Sequence, residues 1–379
     1  MKAVRALQLP RQLNDVQALL RSLDWHALEN EVARETSARL VIVGPVNSGK
    51  STLFNRLHGR KLSATSAVPG TTTGVVEHPL GPFLLVDTPG FGEVWGVDRA
   101  EIAEDAAIHA DLCLLLLDAA AGVRQSDHDL YTYLQSLEVP VIVALNKADL
   151  VRKDLPWILE NAEKLLGARP IPISAQTGQG VVDKLVPAIL AAQPAVAVAM
   201  ARALPAVRTH IVNRIIRRTA WVNALISLEP VPGLDIPLLL VSQTRLVLRI
   251  GAAYGQSMSA THARELLTTM AGSLLSRYLG IQLAKLVPGL GWLVSAALSA
   301  ITTWGMGQAA RAYFESGGVI KAPNLRGLYQ RMRRLAPRQL LRSKRQSEKD
   351  TPQADSALAG GISATPSVTP MPGASAPEQ

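Results

Sequence analysis

The sequence predicts an α/β domain, built on a mostly parallel sheet with helices on both faces, followed by an all-α domain and a disordered tail. In the first half, short apolar runs alternate with amphipathic stretches, which is typical of buried parallel strands and covering helices. After about Gln193 the chain becomes Ala-rich and shows no further strand pattern. The five strand-like runs are RLVIVG (39–44), PFLLVD (82–87), DLCLLLLD (111–118), PVIVALN (140–146) and RPIPIS (169–174).

These patterns divide the 379 residues into four parts. A chain of this length usually exceeds what one hydrophobic core serves, so two domains with tails are expected. We predict an N-terminal helical extension over 1–38, the α/β domain over 39–192 and an α-helical domain over 193–345. The remainder, 346–379, is rich in Pro, Ser, Ala and Gly and has too little apolar surface to offset the entropy of ordering.

Charge and cysteine content narrow the setting in which the protein works. The formal net charge of +9 favours a polyanionic partner, either a nucleic acid or an anionic membrane surface. A single cysteine, Cys113, excludes an internal disulfide and favours a reducing compartment. The N-terminus has no apolar run of signal-peptide length, so secretion is not expected.

The first motif with chemical meaning is GPVNSGKS at 44–51, between a strand and a helical stretch. Glycines at 44 and 49 allow a tight turn whose N–H groups point at phosphate oxygens, and the following helix adds its dipole. Lys50 would bridge the β- and γ-phosphates, and the Ser51 hydroxyl would bind Mg²⁺. The predicted nucleotide-binding residues of this loop are Gly44, Asn47, Ser48, Gly49, Lys50, Ser51 and Thr52.

Three further motifs follow strands in the order that a guanine-nucleotide site requires. In DTPG, Asp87 would hold a magnesium-bound water and the Gly90 N–H would meet the γ-phosphate. In NKAD, the Asp149 carboxylate would accept from both the ring N–H and the exocyclic amine of guanine, a donor pair that adenine lacks. Each short motif alone is a common turn, but four in order at strand ends predict a site for GTP or GDP.

The rest of the predicted base pocket comes from the NKAD loop and from a third motif, SAQ, which follows the run RPIPIS. Asn146 would tie the NKAD loop to the phosphate loop, and the Lys147 stem would lie over the base. Ser174, Ala175 and Gln176 would complete the pocket, with the Ala175 N–H facing the guanine oxygen.

The order GPVNSGKS, PGTTTG, DTPG, NKAD and SAQTG resembles the Era and TrmE branch of bacterial P-loop GTPases over about 40% of the chain. The resemblance implies that PGTTTG is switch I and that the Thr72 hydroxyl binds Mg²⁺, with Thr71 and Thr73 as neighbouring alternatives. The metal residues would then be Ser51, Thr72 and Asp87, and the catalytic residues Lys50, Thr72 and Gly90. The branch usually reads G-T-T-R-D where this chain has GTTTG, so switch contacts of the missing Arg and Asp are not implied.

Hydrolysis must differ from that of Ras-like enzymes, which place a glutamine after D-x-x-G to orient water. Phe91 occupies this position and cannot polarise water. In having a hydrophobic residue there, the chain resembles the Era and TrmE branch. The resemblance allows a potassium ion, held in part by Asn47, to offset developing charge. An equally good interpretation is that Asn47 caps the loop through hydrogen bonds of its side chain. The candidates for water positioning are Glu93, Asp98 and Glu101, and slow basal turnover is expected.

In the second half, the stretch 286–310 contains 25 consecutive uncharged residues, enough to span a bilayer of about 30 Å. Its Ser, Thr and Gln residues dilute the hydrophobicity and favour peripheral or partly inserted membrane contact over a single span. They equally fit a buried hairpin in a helical domain, with Ala and Gly at close crossings. The tetrapeptide VPGL occurs at 231–234 and at 287–290, each time followed by a long apolar stretch, and could be a turn that opens a helix. The motifs PVPGLD, YGQ, LVPGLGW and TTWGMGQAARAYF follow one another in the region of about 225–315. This order resembles YcjF-like domains of unknown function, a family that includes bacterial inner-membrane proteins.

The stretch 326–345 carries eight Arg or Lys residues and no acidic residue. It suits contact with anionic lipid, contact with RNA phosphates, or a solvated helix face.

Together these observations predict a GTPase that acts as a molecular switch at the cytoplasmic face of the bacterial inner membrane, or in the cytoplasm. The alternative is an RNA- or ribosome-binding assembly GTPase that uses the basic segment 326–345, although no KH-type loop or aromatic stacking platform supports it. A homodimer across the nucleotide face is an option that the resemblance leaves open.

Overall fold

The computed structural model describes residues 22–59, 78–80, 83–88, 109–228, 235–256, 291–318, 327, 329–332 and 334–336. The chain divides into two compact units, one ending at Arg334 and the other beginning at Leu335. The elements below belong to the first unit, and the predicted boundary at 193 stays a prediction within it. The predicted tail, 346–379, lies outside the described residues.

The described residues of the first half form a sheet of six strands, as the alternation of apolar runs predicts. Its strand order is β2-β3-β1-β4-β5-β6, with all neighbours parallel except β2, which runs antiparallel to β3. Each predicted run contains a strand, and β2 is additional. The strands are β1 Leu40–Pro45, β2 His78–Leu80, β3 Phe83–Thr88, β4 Leu112–Asp118, β5 Val141–Asn146 and β6 Ile171–Pro172.

Helices cover the sheet because its central strands are apolar on both faces. In β4, Leu112 to Leu117 are all fully buried, and alternate side chains point to opposite faces. One face packs Cys113, Leu115 and Leu117 with Leu130 and Leu134 of α3. The helices of this half are α1 Trp25–Thr36, α2 Lys50–His58, α3 Gln125–Ser136, α4 Leu155–Leu166 and α5 Val186–Ala192, the last preceded by a π-helical turn at Val181–Leu185.

The described residues after 193 are helical, as the loss of strand pattern predicts. Both apolar stretches that follow a VPGL tetrapeptide form helices, although both tetrapeptides lie outside the described residues. The helices of this half are α6 Val196–Ala203, α7 Pro205–Ile226, α8 Asp235–Ala253 and α9 Gly291–Glu315.

The central part of the uncharged stretch 286–310 is packed inside the helical bundle. Thr303 and Met306 are fully buried in α9, and a Cβ atom added at Gly307 would lie 2.7 Å from Ile216 Cγ1 of α7. This arrangement matches the buried-hairpin interpretation, with a glycine at the closest crossing. In the part of the chain that the structure describes, no helix combines the length and hydropathy needed to cross a bilayer.

Hydrogen bonds between polar side chains show the relative direction of α7 and α9 and tie α8 to them. Asn223 Nδ2 of α7 donates to Thr303 Oγ1 of α9 at 2.9 Å, and Gln308 Nε2 of α9 donates to Asn213 Oδ1 of α7 at 3.0 Å. These pairs make α7 and α9 antiparallel. Gln243 Nε2 of α8 donates to the same Thr303 hydroxyl at 3.2 Å.

Two contacts join the helical bundle to the sheet half. Glu35 of α1 accepts from Arg245 Nη2 at 2.9 Å and from Arg249 Nε at 2.5 Å, both on α8. Gly59, directly after α2, lies against Ala206 at the start of α7. Because α2 begins at the end of the phosphate-loop motif, α7 begins next to the helix that follows this loop.

Candidate nucleotide-binding site

The loop between β1 and α2 is shaped by close backbone approaches that require glycine. A Cβ atom at Gly44 would lie 2.2 Å from the carbonyl oxygen of Leu116 in β4. At Gly49, which adopts φ +96°, a Cβ atom would lie 2.3 Å from Asn146 Nδ2. Asn47 adopts φ 65°, a left-handed conformation that asparagine tolerates better than most residues. The two glycines therefore let this loop fold tightly against β4 and β5.

Lys50 is held in place by the loop that precedes it. Its Nζ donates to the carbonyl oxygens of Gly44 at 2.7 Å and Pro45 at 2.8 Å, and lies 3.4 Å from Ser48 Oγ. The side chain is only 4% exposed, so its charge is carried at a defined point inside the loop. Ser51 and Thr52, in the first turn of α2, are exposed. The loop therefore combines a fixed ammonium group with accessible hydroxyl groups at a helix N-terminus.

Asn146 connects the phosphate loop to the loop after β6. Its Nδ2 donates to the Ser48 carbonyl at 2.8 Å, and its Oδ1 accepts from the Ala175 N–H at 2.8 Å. The side chain is 2% exposed. The structure thus shows the link to the phosphate loop that the sequence leads us to expect.

The Ala175 N–H, however, does not have the free position expected for it. Since it already donates to Asn146 Oδ1, a guanine oxygen could share it only as a second acceptor. The expectation that this N–H faces the guanine oxygen stays a prediction. Ser174 is 1% exposed and its Oγ accepts from the Thr177 N–H at 3.1 Å, while Gln176 is exposed. Ser174 therefore shapes the turn.

Two residues that sequence reasoning overlooked also hold the two loops that are predicted to bind the guanine base. Asp118, at the end of β4, pairs with Lys147 Nζ at 2.5 Å, and this pair orients the lysine stem that was expected over the base. Arg56 of α2 donates from Nε to the Ala175 carbonyl at 3.0 Å and from Nη2 to the Gln176 carbonyl. Asp118 had a signal, because it ends a strand as the motif residues do. Arg56 lies in a helix and had none.

The predicted site residues that the structure describes gather at the carboxyl ends of the strands. Asp149 is half-buried in the loop after β5. In the register of β1 and β3, Asp87 pairs with Gly44, which places its backbone beside the phosphate loop. The side chain of Asp87 lies outside the description. Thr72 and Gly90 lie outside the described residues, as do Thr71, Thr73, Phe91, Glu93, Asp98 and Glu101.

A parallel sheet whose central strand runs through a Gly-Lys-Ser loop into a helix defines a P-loop nucleotide-binding domain. Residues 39–147 match the family described as 50S ribosome-binding GTPase. Residues 191–338 match a domain of unknown function, DUF697. The chain thus joins a GTPase domain of the P-loop class to a helical DUF697 region, and the likeness to YcjF-like proteins stays a prediction.

Curated relatives are similar to the GTPase part of the chain. GTPase Der of Parvibaculum lavamentivorans is 41% identical over 155 residues, which cover 39% of this chain and 32% of Der. GTPase Era of Aquifex aeolicus is 39% identical over 166 residues, covering 40% of this chain and 55% of Era. The chain therefore spans about a third to a half of the relatives' own length. The Era part of the predicted resemblance is supported, and the TrmE part stays a prediction.

A solved structure shows the same partial likeness. The crystal structure of Aquifex aeolicus Era bound to GDP and AlF4⁻ is 30% identical, with a TM-score of 0.33. The match covers 49% of this chain and 67% of that chain.

Proposed function

We propose that the protein binds GTP and hydrolyses it to GDP and phosphate as a molecular switch. The observation that carries this proposal is the pair of hydrogen bonds made by Asn146. They join the phosphate loop to the loop after β6, at the edge of the sheet where Asp149 also lies. Ligands of open α/β sheets bind at this edge.

The phosphate end of the site fits a nucleoside triphosphate with magnesium. Lys50 places a buried cation within the loop, and the dipole of α2 favours negative charge at its first residues. Ser51, Thr72 and Asp87 are the residues that would hold Mg²⁺. The ion would neutralise charge on the β- and γ-phosphates when bound.

The base end of the site fits guanine. The Asp149 carboxylate would accept two hydrogen bonds from the guanine edge, and the Lys147 stem, held by Asp118, would cover the ring. With the Ala175 N–H shared, the next N–H along the chain, that of Gln176, is a further candidate donor for the guanine oxygen.

For hydrolysis we propose that Lys50 stabilises charge on the phosphates, while Thr72 and Gly90 contact the γ-phosphate side. Because Phe91 cannot orient water, basal turnover should be slow. The positive-φ conformation of Asn47 supports a loop in which it could also contact a potassium ion.

The γ-phosphate would order the switch loops, and their release would follow hydrolysis. The contact between Gly59 and Ala206 supports a route from the phosphate-loop helix to the helical bundle. We propose the cytoplasmic face of the bacterial inner membrane as the place of action. A ribosome-binding GTPase is the alternative, favoured by the description of the family that residues 39–147 match.

Nucleotide competition tests the base assignment. We expect affinity to fall from GTP to inosine triphosphate, which lacks the exocyclic amine, and further to ATP. The variant Asp149→Ala should lose this order, whereas Asp129→Ala, on α3, should keep it. Equal affinity of the unaltered protein for GTP and ATP would refute the proposal.

Phosphate release tests the reaction. We expect magnesium-dependent turnover of GTP that Lys50→Ala abolishes. A higher rate in potassium than in sodium is expected for the cation, and equal rates would remove that part of the proposal.

A further inference from the structure

One end of the helical bundle exposes an unusual number of large apolar side chains. Trp221 and Leu225, near the end of α7, are 49% and 65% exposed, and Leu238 of α8 is 58% exposed. In the first turn of α9, Trp292, Leu293 and Val294 are 44 to 48% exposed. We call these six residues the bundle-end patch.

The hydrogen bonds between the helices place these residues at the same end. Asn223, between Trp221 and Leu225, bonds to Thr303 of α9, and the antiparallel packing directs the end of α7 towards the same end of the bundle as the start of α9. Gln243 of α8 bonds to the same Thr303 hydroxyl. At 1.5 Å per residue, Leu238 and the first turn of α9 lie within about 15 Å of that level along the bundle.

A row of cations runs along α7 up to this patch. Arg214, Arg217 and Arg218 precede Trp221 at helical spacing, so they lie on its side of the helix. Burial lowers the pKa of Arg214, and the neighbouring charges of Arg217 and Arg218 lower it further. Burial also lowers the pKa of Arg217. Among the described residues, no ion pair includes any of these three, which we call the arginine row.

The combination favours one kind of partner. Three crowded cations with no carboxylate partner among the described residues are complementary to a dense anionic surface. The aliphatic and tryptophan side chains beside them would remain in water on an RNA phosphate backbone. At an anionic bilayer, by contrast, tryptophan and leucine enter the interface while arginine meets the phosphate groups.

We propose that the bundle-end patch and the arginine row together form a docking surface for anionic phospholipid. The helices stay packed during docking, because the interior of the bundle at this end is polar, with Ser295, Ser299 and Thr303 all buried. Contact is therefore peripheral. This inference deepens the proposed function by naming the surface and the lipid class, and it rests on that proposal only for the link to the GTP cycle.

The surface also has a defined position relative to the phosphate loop. Helix α7 starts next to Gly59, at the end of α2, is 22 residues long, and carries Trp221 and Leu225 of the patch in its last two turns. That corresponds to about 33 Å of continuous helix. A single rigid element thus connects the phosphate-loop helix with the docking surface.

Sedimentation of the full chain with vesicles tests the proposal. Vesicles of phosphatidylcholine alone and vesicles that also contain phosphatidylglycerol are compared. We expect binding to the anionic vesicles only. The double variant Arg217→Glu with Arg218→Glu should bind at least tenfold more weakly, since each cation near such a surface contributes roughly a fivefold gain in partition. Trp221→Ser with Leu225→Ser should also bind more weakly, including at high salt.

The sheet half of the chain offers matched controls. Trp157 is 67% exposed on α4, and Arg152 and Lys153 are exposed just before that helix. Trp157→Ser, and Arg152→Glu with Lys153→Glu, should bind vesicles like the unaltered protein. Circular dichroism and thermal melting check that every variant is folded.

Several outcomes would overturn the proposal. They are undiminished binding by the patch variants, equal loss in the control variants, or binding of single-stranded RNA rather than vesicles through the arginine row. GTP turnover is measured on the same preparations. An inactive protein that still binds anionic vesicles would contradict the proposed GTPase, whereas an active protein that ignores them would contradict the docking surface.

Discussion

At the residue scale, the site depends on side chains that hold loops rather than on those that face a nucleotide. Asn146 is the clearest case, because one amide satisfies a carbonyl on one loop and an N–H on another. Arg56 and Asp118 act in the same way on the Ala175 and Gln176 carbonyls and on Lys147. Such residues determine whether the binding groups are in place before the ligand arrives.

We expect Asn146→Ala to lower both stability and nucleotide affinity. Removing the amide leaves the Ser48 carbonyl and the Ala175 N–H without this partner in a buried setting, at a cost of roughly 2–4 kcal/mol. The free energy of unfolding in urea, measured without nucleotide, reports this loss. Asn161→Ala, at an exposed position of α4, should change it by less than about 0.5 kcal/mol. Equal effects of the two substitutions would refute the bridging role.

Arg56→Lys should accelerate release of GDP by roughly five- to tenfold, because an ammonium group cannot hold both carbonyls in the planar geometry of a guanidinium. Stopped-flow dissociation of a fluorescent GDP measures the rate. Arg169→Lys, at an exposed position paired with Glu163 at 3.8 Å, should leave it unchanged. If the rate rises with Arg169→Lys as well, Arg56 has no specific part in positioning the base loop.

At the element scale, the crossing of α7 and α9 depends on one glycine. Gly307 faces Ile216, and an added Cβ atom would lie 2.7 Å from Cγ1 and 2.8 Å from Cγ2 of that side chain. Both helices carry several polar residues in the contact, so the bundle uses a close backbone approach together with specific hydrogen bonds. This explains why an uncharged stretch of sequence can belong to a packed interior rather than to a bilayer.

Gly307→Ala should therefore destabilise the protein by about 1–3 kcal/mol, the usual cost of overpacking a core. Gly327→Ala is the matched control, since an added Cβ atom there meets nothing within 4 Å. It should be neutral or slightly stabilising, because alanine favours a helix more than glycine does. Thermal unfolding of both variants measures the difference.

A second substitution makes the test more specific. Ile216→Ala removes the atoms that the new methyl group would meet. The double variant should then lose less stability than the sum of the two single variants. Strict additivity would show that the clash is not the cause.

At the scale of the whole molecule, the two halves are joined by contacts that are distant in sequence. Glu35 and the arginines of α8 are separated by 210 and 214 residues. The carboxylate is 7% exposed and is shared by two guanidinium groups, while Arg245 also meets Glu31 at 2.8 Å. Helix α1 thus connects the strand that leads to the phosphate loop with the helical bundle.

Glu35→Gln should lower the free energy of unfolding by about 2 kcal/mol, because it leaves the partly buried Arg249 without its anion and Arg245 with Glu31 alone. Urea denaturation measures the change. Glu160→Gln breaks the exposed pair with Lys164 at 2.7 Å and should have no measurable effect. A loss at Glu35 as small as that at Glu160 would mean that the contact between α1 and α8 contributes little.

The class of fold could be predicted from the sequence alone, and so could the candidates for the nucleotide site. Strand and helix periodicities are local, and the phosphate loop, NKAD and Ser174–Gln176 each follow a strand that any parallel sheet brings to one edge. A helix after the second VPGL tetrapeptide was likewise predictable, but the sequence did not show whether that helix packs against protein or against lipid.

How this helix packs was visible only in the folded chain, because Thr303 and Gly307 meet partners about 60 to 90 residues earlier in the sequence. The same holds for the Ala175 N–H, whose partner is Asn146, and for the roles of Arg56, Asp118 and Glu35. A sequence pattern records the preference of a residue for water or for a backbone conformation. The identity of its hydrogen-bond partner is determined only when distant segments pack together.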